Sequence, residues 1–149
     1  MGRCFANPLL LLQPLLLLLL CVLVTSSQGR LVGKCELVRK LRSSGVPGDQ
    51  LRDWVCMAQH ESGMKTSRVG GPNKNGSYDY GIFQINSKYW CGITSKGKDC
   101  NIKCDDLVDG NIDDDIACAK KVHRRHGFSA WYAWRSHCQG KPLPSVAGC

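Results

Sequence analysis

Glu61 and Asp79 are the two residues whose types and surroundings could carry a reaction together. Glu61 follows Leu51, Trp54, Val55 and Ala58, which recur at helical spacing, and it continues their stripe, so a carboxyl stands where periodicity predicts an apolar side chain. Desolvation on such a face disfavours the charged form and raises the pKa. Asp79 comes after an Asn75-Gly76 turn, beside Ser77, in a polar setting that favours ionisation. One protonated and one ionised carboxyl is what glycoside hydrolysis needs: a proton for the leaving oxygen and an anion to meet the developing positive charge. The same two residues can also be read as a surface acid at a helix end and an ordinary turn aspartate, because perturbed carboxyls occur in structural ion pairs as well. Type and position leave both readings open. A serine hydrolase fits worse: there is no Gly-x-Ser-x-Gly run, and His60, His123, His126 and His137 read as charged surface residues.

Positioning these acids requires helices and one small sheet. A first helix is expected over residues 34–42, with Leu37, Val38 and Leu41 as its apolar stripe and Gly45 beyond its end. Pro47 and Asp49 open a second helix, the one bearing Glu61, for which Gly63 is the natural stop. Asn75-Gly76, followed by the aromatic and β-branched run from Ser77 to Asn86, signals a hairpin. A third helix is expected over residues 113–125, where Asp113, Asp114 and Asp115 at the start and Lys120, Lys121, Arg124 and Arg125 near the end match the helix dipole. A short fourth is expected over residues 130–135. Several helices with one small antiparallel sheet make the fold class α+β.

The chain opens on a leucine-dominated run from Leu9 to Val24, broken by Gln13 and Pro14 and leading to the small residues Ser27 and Gly29. That is the shape of a signal peptide, cleaved after Gly29, which leaves one domain over residues 30–149. As a membrane anchor the run is short and carries a proline. Cleavage removes Cys4 and Cys21, and the eight remaining cysteines in an oxidising compartment imply four disulfides, although spacing alone does not choose their pairing. Zinc is disfavoured because no Cys-x-x-Cys pair occurs. Losing Arg3 leaves 19 basic against 12 acidic residues, a net charge of +7, so the partner is anionic. A bacterial envelope or membrane surface suits a secreted chain better than nucleic acid does.

The run Ser77-Tyr78-Asp79-Tyr80-Gly81-Ile82-Phe83-Gln84-Ile85-Asn86-Ser87-Lys88-Tyr89-Trp90-Cys91 closely resembles the signature strand of c-type lysozymes. Trp54 to Ser62 resembles that family's acid-bearing helix. Cys118-Ala119-Lys120-Lys121, Ala130-Trp131-Tyr132-Ala133-Trp134 and Cys138 resemble its third and fourth helices. The likeness covers roughly residues 34–149 and is strongest to the insect branch, through Gly-Phe-Ser-Ala-Trp and Leu-Pro-Ser. It implies a secreted, monomeric hydrolase of bacterial peptidoglycan, able to act on chitin oligomers as well, serving antibacterial defence or digestion. Glu61 would be general acid and then base, and Asp79 the nucleophile of a retaining mechanism. It also implies a sugar cleft lined by Asn73, Gln84, Asn86, Trp90, Ala130 and Trp131, with Trp131 packed on the acid. The implied disulfides are Cys35–Cys149, Cys56–Cys138, Cys91–Cys104 and Cys100–Cys118. For Trp54 and Trp134, core packing is the better reading.

No cofactor or metal is expected. Asp106, Asp109, Asn111, Asp114 and Asp115 resemble the calcium loop of α-lactalbumin and of the calcium-binding lysozymes, but compensation of a helix N-terminus accounts for the same acids without an ion and is preferred. Tyr89 departs from the family where some members carry a second cleft tryptophan. The Cys91 to Cys100 loop is shorter than in the vertebrate enzymes, and basic residues near His126 replace an acid at the far end of the cleft. The rival class is a non-catalytic binding protein on the same fold, for carbohydrate or for a protein partner. Such proteins commonly lose one or both carboxyls, and here both are kept.

Overall fold

The computed structural model describes residues 28–149, so the expected signal segment lies outside it except for Gln28 and Gly29. In chain order the elements are α1 (Lys34–Ser43), α2 (Leu51–Ser62), strands β1 (Val69–Gly70), β2 (Asp79–Tyr80) and β3 (Ile85–Asn86), then α3 (Asp113–His126) and α4 (Tyr132–His137). Single turns of tighter helix occupy Gly48–Gln50, Cys104–Val108 and Phe128–Ala130. Among the described residues no helix is long and apolar enough to cross a membrane.

In α1, Leu37, Val38 and Leu41 are the buried face, as their spacing predicts, and the Ser44 hydroxyl donates to the Leu41 carbonyl at 2.8 Å to close the end. The buried side of α2 is wider than its stripe, taking in Cys56 and Met57 besides Leu51, Trp54, Val55 and Ala58, because this helix runs through the centre of the molecule. Gly63 ends it in the left-handed conformation, φ 62°, with its amide on the Gln59 carbonyl at 3.0 Å. The last helix differs from expectation. Residues 128–130 form a separate turn, Trp131 is extended at φ −98°, ψ 122°, and α4 starts only at Tyr132. The Trp131 indole donates to the Phe83 carbonyl at 2.8 Å, a tertiary bond that holds this residue out of the helical path.

The three strands form one antiparallel sheet in the order β1-β2-β3, with Asp79 opposite Gly70 on one side and Asn86 on the other. The Asn75-Gly76 turn therefore joins β1 to β2. The turn between β2 and β3 is made by residues 81–84, and it divides the β-rich run into strands of two residues. Gly81 is required there: its φ is +76°, and a Cβ would lie 2.1 Å from the Leu107 carbonyl oxygen and 2.5 Å from Asp115 Oδ1.

The core centres on Trp54, which is 1% exposed and meets Phe83, Phe128 and Trp131 edge to face at ring separations of 5.6, 5.3 and 5.8 Å. His123 is not the surface residue its basic neighbours suggest. Its ring is half-buried, 5.3 Å from Trp54 and 4.3 Å from Phe128, and desolvation lowers its pKa. Trp134 is half-buried, stacked on Phe128 at 5.4 Å and donating to Asp53 Oδ1 at 2.7 Å. Four disulfides close the fold: Cys35–Cys149, Cys56–Cys138, Cys91–Cys104 and Cys100–Cys118.

Asp113, Asp114 and Asp115 occupy the first turn of α3, and His123, Arg124, Arg125 and His126 its last. Asp113 pairs with Lys40 at 2.7 Å, Asp114 Oδ1 accepts from the Asp115 amide at 3.2 Å, and Asp109 Oδ1 accepts from the Asn111 amide at 2.7 Å. Among the described residues no group of three or more acids, histidines or cysteines is placed to hold a metal ion. Asp115 is fully buried and neither of its oxygens has a hydrogen-bond partner. Burial first, then the charge of Asp114 and to a lesser degree that of Asp109, push its carboxyl well above the usual carboxylate range; the nearby Ile82 amide, outside hydrogen-bonding geometry, offsets only part of the rise.

A raised folded-state pKa means that the native state binds the proton more tightly than the unfolded chain. The stabilisation is complete below the ordinary carboxylate value of about 4 and is lost as pH rises towards the folded-state value. The Asp115 contribution to stability should therefore fall as pH rises above about 4, and removing it in Asp115→Asn should change the slope of melting temperature against pH in thermal melts run in chelator. A slope unchanged by the substitution would contradict the assignment. A melting temperature raised by added divalent cation in the parent but not in the variant would place a cation beside Asp115.

Candidate active site

A cleft of about 860 Å³ runs between the helices and the sheet, and both Glu61 and Asp79 open onto it. Glu61 is carried by the last turn of α2, where the helical repeat that buries Trp54 and Ala58 also turns this carboxyl inward. It is half-buried, and its Oε1 accepts the Ala133 amide of α4 at 3.1 Å. Desolvation is the largest influence on it and raises its pKa. The Asp79 charge pushes the same way, while the Ala133 amide and Arg68 offset part of the rise. This group therefore stays protonated to higher pH than an ordinary glutamate.

Asp79 is held in the opposite manner. The antiparallel register sets Asn86 beside it, and the Asn86 Nδ2 donates to its Oδ1 at 2.7 Å. The Asn73 Nδ2, reaching back from the β1–β2 turn, donates to its Oδ2 at 2.9 Å. Ser77 Oγ accepts from both amides, at 2.9 Å from Asn86 and 3.1 Å from Asn73, and donates to Asn75 Oδ1 at 2.7 Å. Asp79 accepts two side-chain hydrogen bonds and donates none. The two acids thus meet across one space with contrasting surroundings: a desolvated acid on a helix, and a carboxylate fixed by two amides on a strand.

Gln84, Asn86, Trp90, Ala130 and Trp131 line the same cleft, while Asn73 stands behind it on Asp79. Gln84 is tied to backbone, its Nε2 donating to the Gly81 and Arg68 carbonyls at 2.8 and 3.1 Å. Trp131 is 5% exposed and Trp90 8%. Tyr89 and the basic pair Arg125 and His126 line the cleft where the family resemblance places them, and Ile85, Asp99, Val122 and Tyr132 line it without having been expected from the sequence. Val122 and Arg125 share one face of α3 at a spacing of three, a signal legible only once the neighbour of that face is known. Tyr132 is 74% exposed, and nothing in its sequence context separates it from any other helix-start aromatic. Ser77 and Asn75 stand out in the sequence only as turn residues, although they complete the network around Asp79.

The C-type lysozyme/alpha-lactalbumin family model matches residues 30–149. Among curated proteins the chain is 58% identical to a lysozyme from Galleria mellonella over 78% of its length and 97% of that protein. It is 46% identical to a lysozyme from Bombyx mori over 93% of its length and all of that protein. Among solved structures it is similar to recombinant canine milk lysozyme in its apo form, with a TM-score of 0.70 and 52% identity, covering 76% of this chain and 92% of the other.

The electrostatics of the pair can be tested directly. Titration of the Glu61 carboxyl carbon by NMR should give a midpoint above the ordinary glutamate value of about 4.3. In Asp79→Asn that midpoint should fall while remaining above the ordinary value, because a like charge has been removed but the desolvation persists. An unchanged midpoint would mean that the two carboxyls do not share one site.

Proposed function

The chain belongs to the C-type lysozyme/alpha-lactalbumin family and is a peptidoglycan-hydrolysing glycosidase; from that premise we propose that Glu61 and Asp79 are its catalytic pair. The observation that carries the assignment is the contrast between them. Glu61, desolvated and held protonated, donates its proton to the glycosidic oxygen. Asp79, steadied by Asn73 and Asn86, attacks the anomeric carbon, and the bond to the leaving oxygen breaks as the ester bond forms. Glu61, now a carboxylate, then takes a proton from water, whose oxygen displaces Asp79 from the anomeric carbon. Two inversions leave the configuration retained. Lysozyme is itself the type case of this chemistry, so the route is inherited from the family, and the contrasting surroundings of the two carboxyls support the roles given to each.

The substrate bond is the β-1,4 linkage between N-acetylmuramic acid and N-acetylglucosamine, and short chitin oligomers, having the same backbone without the acid, are secondary substrates. Trp90, Trp131, Gln84, Asn86 and Ala130 form walls for the sugar chain, and Asn73 positions Asp79 from behind. The protein acts outside the cell as a monomer after loss of residues 1–29, in keeping with the leader-like composition and four disulfides. A binding protein without activity would have no use for a desolvated acid facing a fixed carboxylate, and the enzyme reading is favoured for that reason.

Glu61→Gln and Asp79→Asn should each reduce wall hydrolysis by at least about a hundredfold while leaving a folded, disulfide-bonded protein. Glu61→Gln should be neutral or slightly stabilising near neutral pH, since it removes a carboxyl whose ionisation burial opposes. An activated fluorosugar should trap a glycosyl ester on Asp79, visible by mass spectrometry. Full turbidity-clearing activity in either amide variant would remove the assignment. Separately, with a net charge of +7 after leader loss, activity on intact cells should fall as salt rises, while cleavage of neutral chitin oligomers should change much less. An equal response of both substrates would rule out long-range attraction as the cause.

A further inference from the structure

One stretch of the cleft wall carries an ion pair whose guanidinium partly covers the aromatic surface beside it. Arg125 on α3 makes a two-point ion pair with Asp99, Nη1 to Oδ2 at 2.5 Å and Nη2 to Oδ1 at 2.7 Å. Its Cζ stands 5.6 Å over the ring of Trp90, whose other contact here is the edge-on ring of His126 at 5.8 Å. Asp99 belongs to the loop between Cys91 and Cys100, so the pair ties that loop to α3. Lys121 adds a second cation, its Nζ donating to the Asp99 backbone carbonyl at 3.3 Å. The guanidinium side chain is 60% exposed and has five N–H donors in a planar fork, of which Asp99 engages only part. Arg125 and Asp99 line the same cleft as Glu61 and Asp79, and the charges acting on Glu61 are those of Asp79 and Arg68.

A sugar reaching Trp90 therefore meets the exposed side of a guanidinium that Asp99 holds over the indole. A neutral sugar gains nothing from the charge and finds the indole partly covered. A sugar carrying a carboxylate can take the free N–H groups of the fork, a charge-assisted contact suited to the planar guanidinium. Peptidoglycan alternates a neutral amino sugar with one bearing a lactyl carboxylate, whereas chitin oligomers carry only the neutral one. We propose that Arg125, seated by Asp99 over Trp90, is a specificity-determining residue that selects glycans bearing a carboxylate on the sugar bound at that wall. This inference rests on the peptidoglycan-hydrolase reading above and concerns substrate choice within it.

Arg124 provides the control, since it carries the same charge one residue earlier but lines a separate hollow with Lys120, His123 and Pro47, away from the cleft. The parent, Arg125→Ala and Arg124→Ala proteins would be assayed on soluble wall glycans with free lactyl carboxyls, on the same glycans with those carboxyls amidated, and on a chitin tetramer. For Arg125→Ala, kcat/KM on the free-acid glycan should fall about fivefold, the size of a solvent-exposed charge contact, with the loss in KM. Activity on the amidated glycan and the chitin tetramer should be unchanged or higher, and the pH profile should keep its shape. Arg124→Ala should retain the parent's preference. An equal loss on all three substrates would make Arg125 a structural residue, and an equal effect of Arg124→Ala would assign the preference to overall charge; either result overturns the proposal. If the parent cleaved none of the three, the catalytic reading would fail by itself. Calorimetric affinities for the free-acid and amidated glycans would still decide whether Arg125 discriminates, because binding at this wall does not need turnover.

Discussion

Phe83 is the joint on which the rest of the molecule depends. It leaves the turn between β2 and β3, is fully buried, packs edge to face on Trp54 of α2, and accepts the Trp131 indole N–H on its carbonyl. Phe83 thereby fixes the sheet that carries Asp79 against the helix that carries Glu61, with Ile82 and Ile85 buried beside it. Aromatic packing of this kind combines large buried area with a preferred ring geometry, so it resists sliding as well as separation. The hydrogen bond adds direction. Because Trp131 is also a wall of the cleft, the contact that joins the two halves also shapes the space between them.

That joint makes the contrast between the two carboxyls possible. A glutamate on an apolar helix face is costly when ionised unless something compensates it, and here one backbone amide and the charge of Arg68 offset only part of the burial. The aspartate that shares the cleft is instead surrounded by amide and hydroxyl groups drawn from two short pieces of chain, the β1–β2 turn and β3. Two residues of similar chemistry are thereby given opposite surroundings. The strands need be no longer than two residues for this, since a single cross-strand pair, Asp79 with Asn86, fixes the orientation.

A second desolvated carboxyl shows the same physics without the cleft. Asp115 is packed under Gly81 at the start of α3, where the helix dipole favours an acid but the loss of water opposes its charge. Its neighbours Asp114 and Asp109 add to the opposition. The turn between β2 and β3 therefore rests on a buried acid below while it carries Phe83 above, and glycine at position 81 is what lets the backbone approach so closely.

Much of this was legible in the chain alone. The 3.6-residue repeat marked the buried faces of α1 and α2, Gly63 marked the stop of α2, and the charges at either end placed α3 within a residue of its observed ends; the start of α2 fell later than Pro47 and Asp49 suggested, because residues 48–50 form a separate tighter turn. The same repeat exposed Glu61 as an acid on an apolar face. Resemblance to a known family supplied the disulfide partners, which spacing could not. What the sequence left undetermined were the features made by contacts between distant segments. The start of α4 was displaced because Trp131 bonds to Phe83, forty-eight residues away in the chain. His123 looked solvated among basic neighbours until Trp54 and Phe128 closed around it. The pairing of Arg125 with Asp99 over Trp90 joins three segments whose local patterns carry no mark of one another. Local periodicity records which face is buried; only the assembled fold decides what that face is buried against, and with it the electrostatic surroundings on which the chemistry depends.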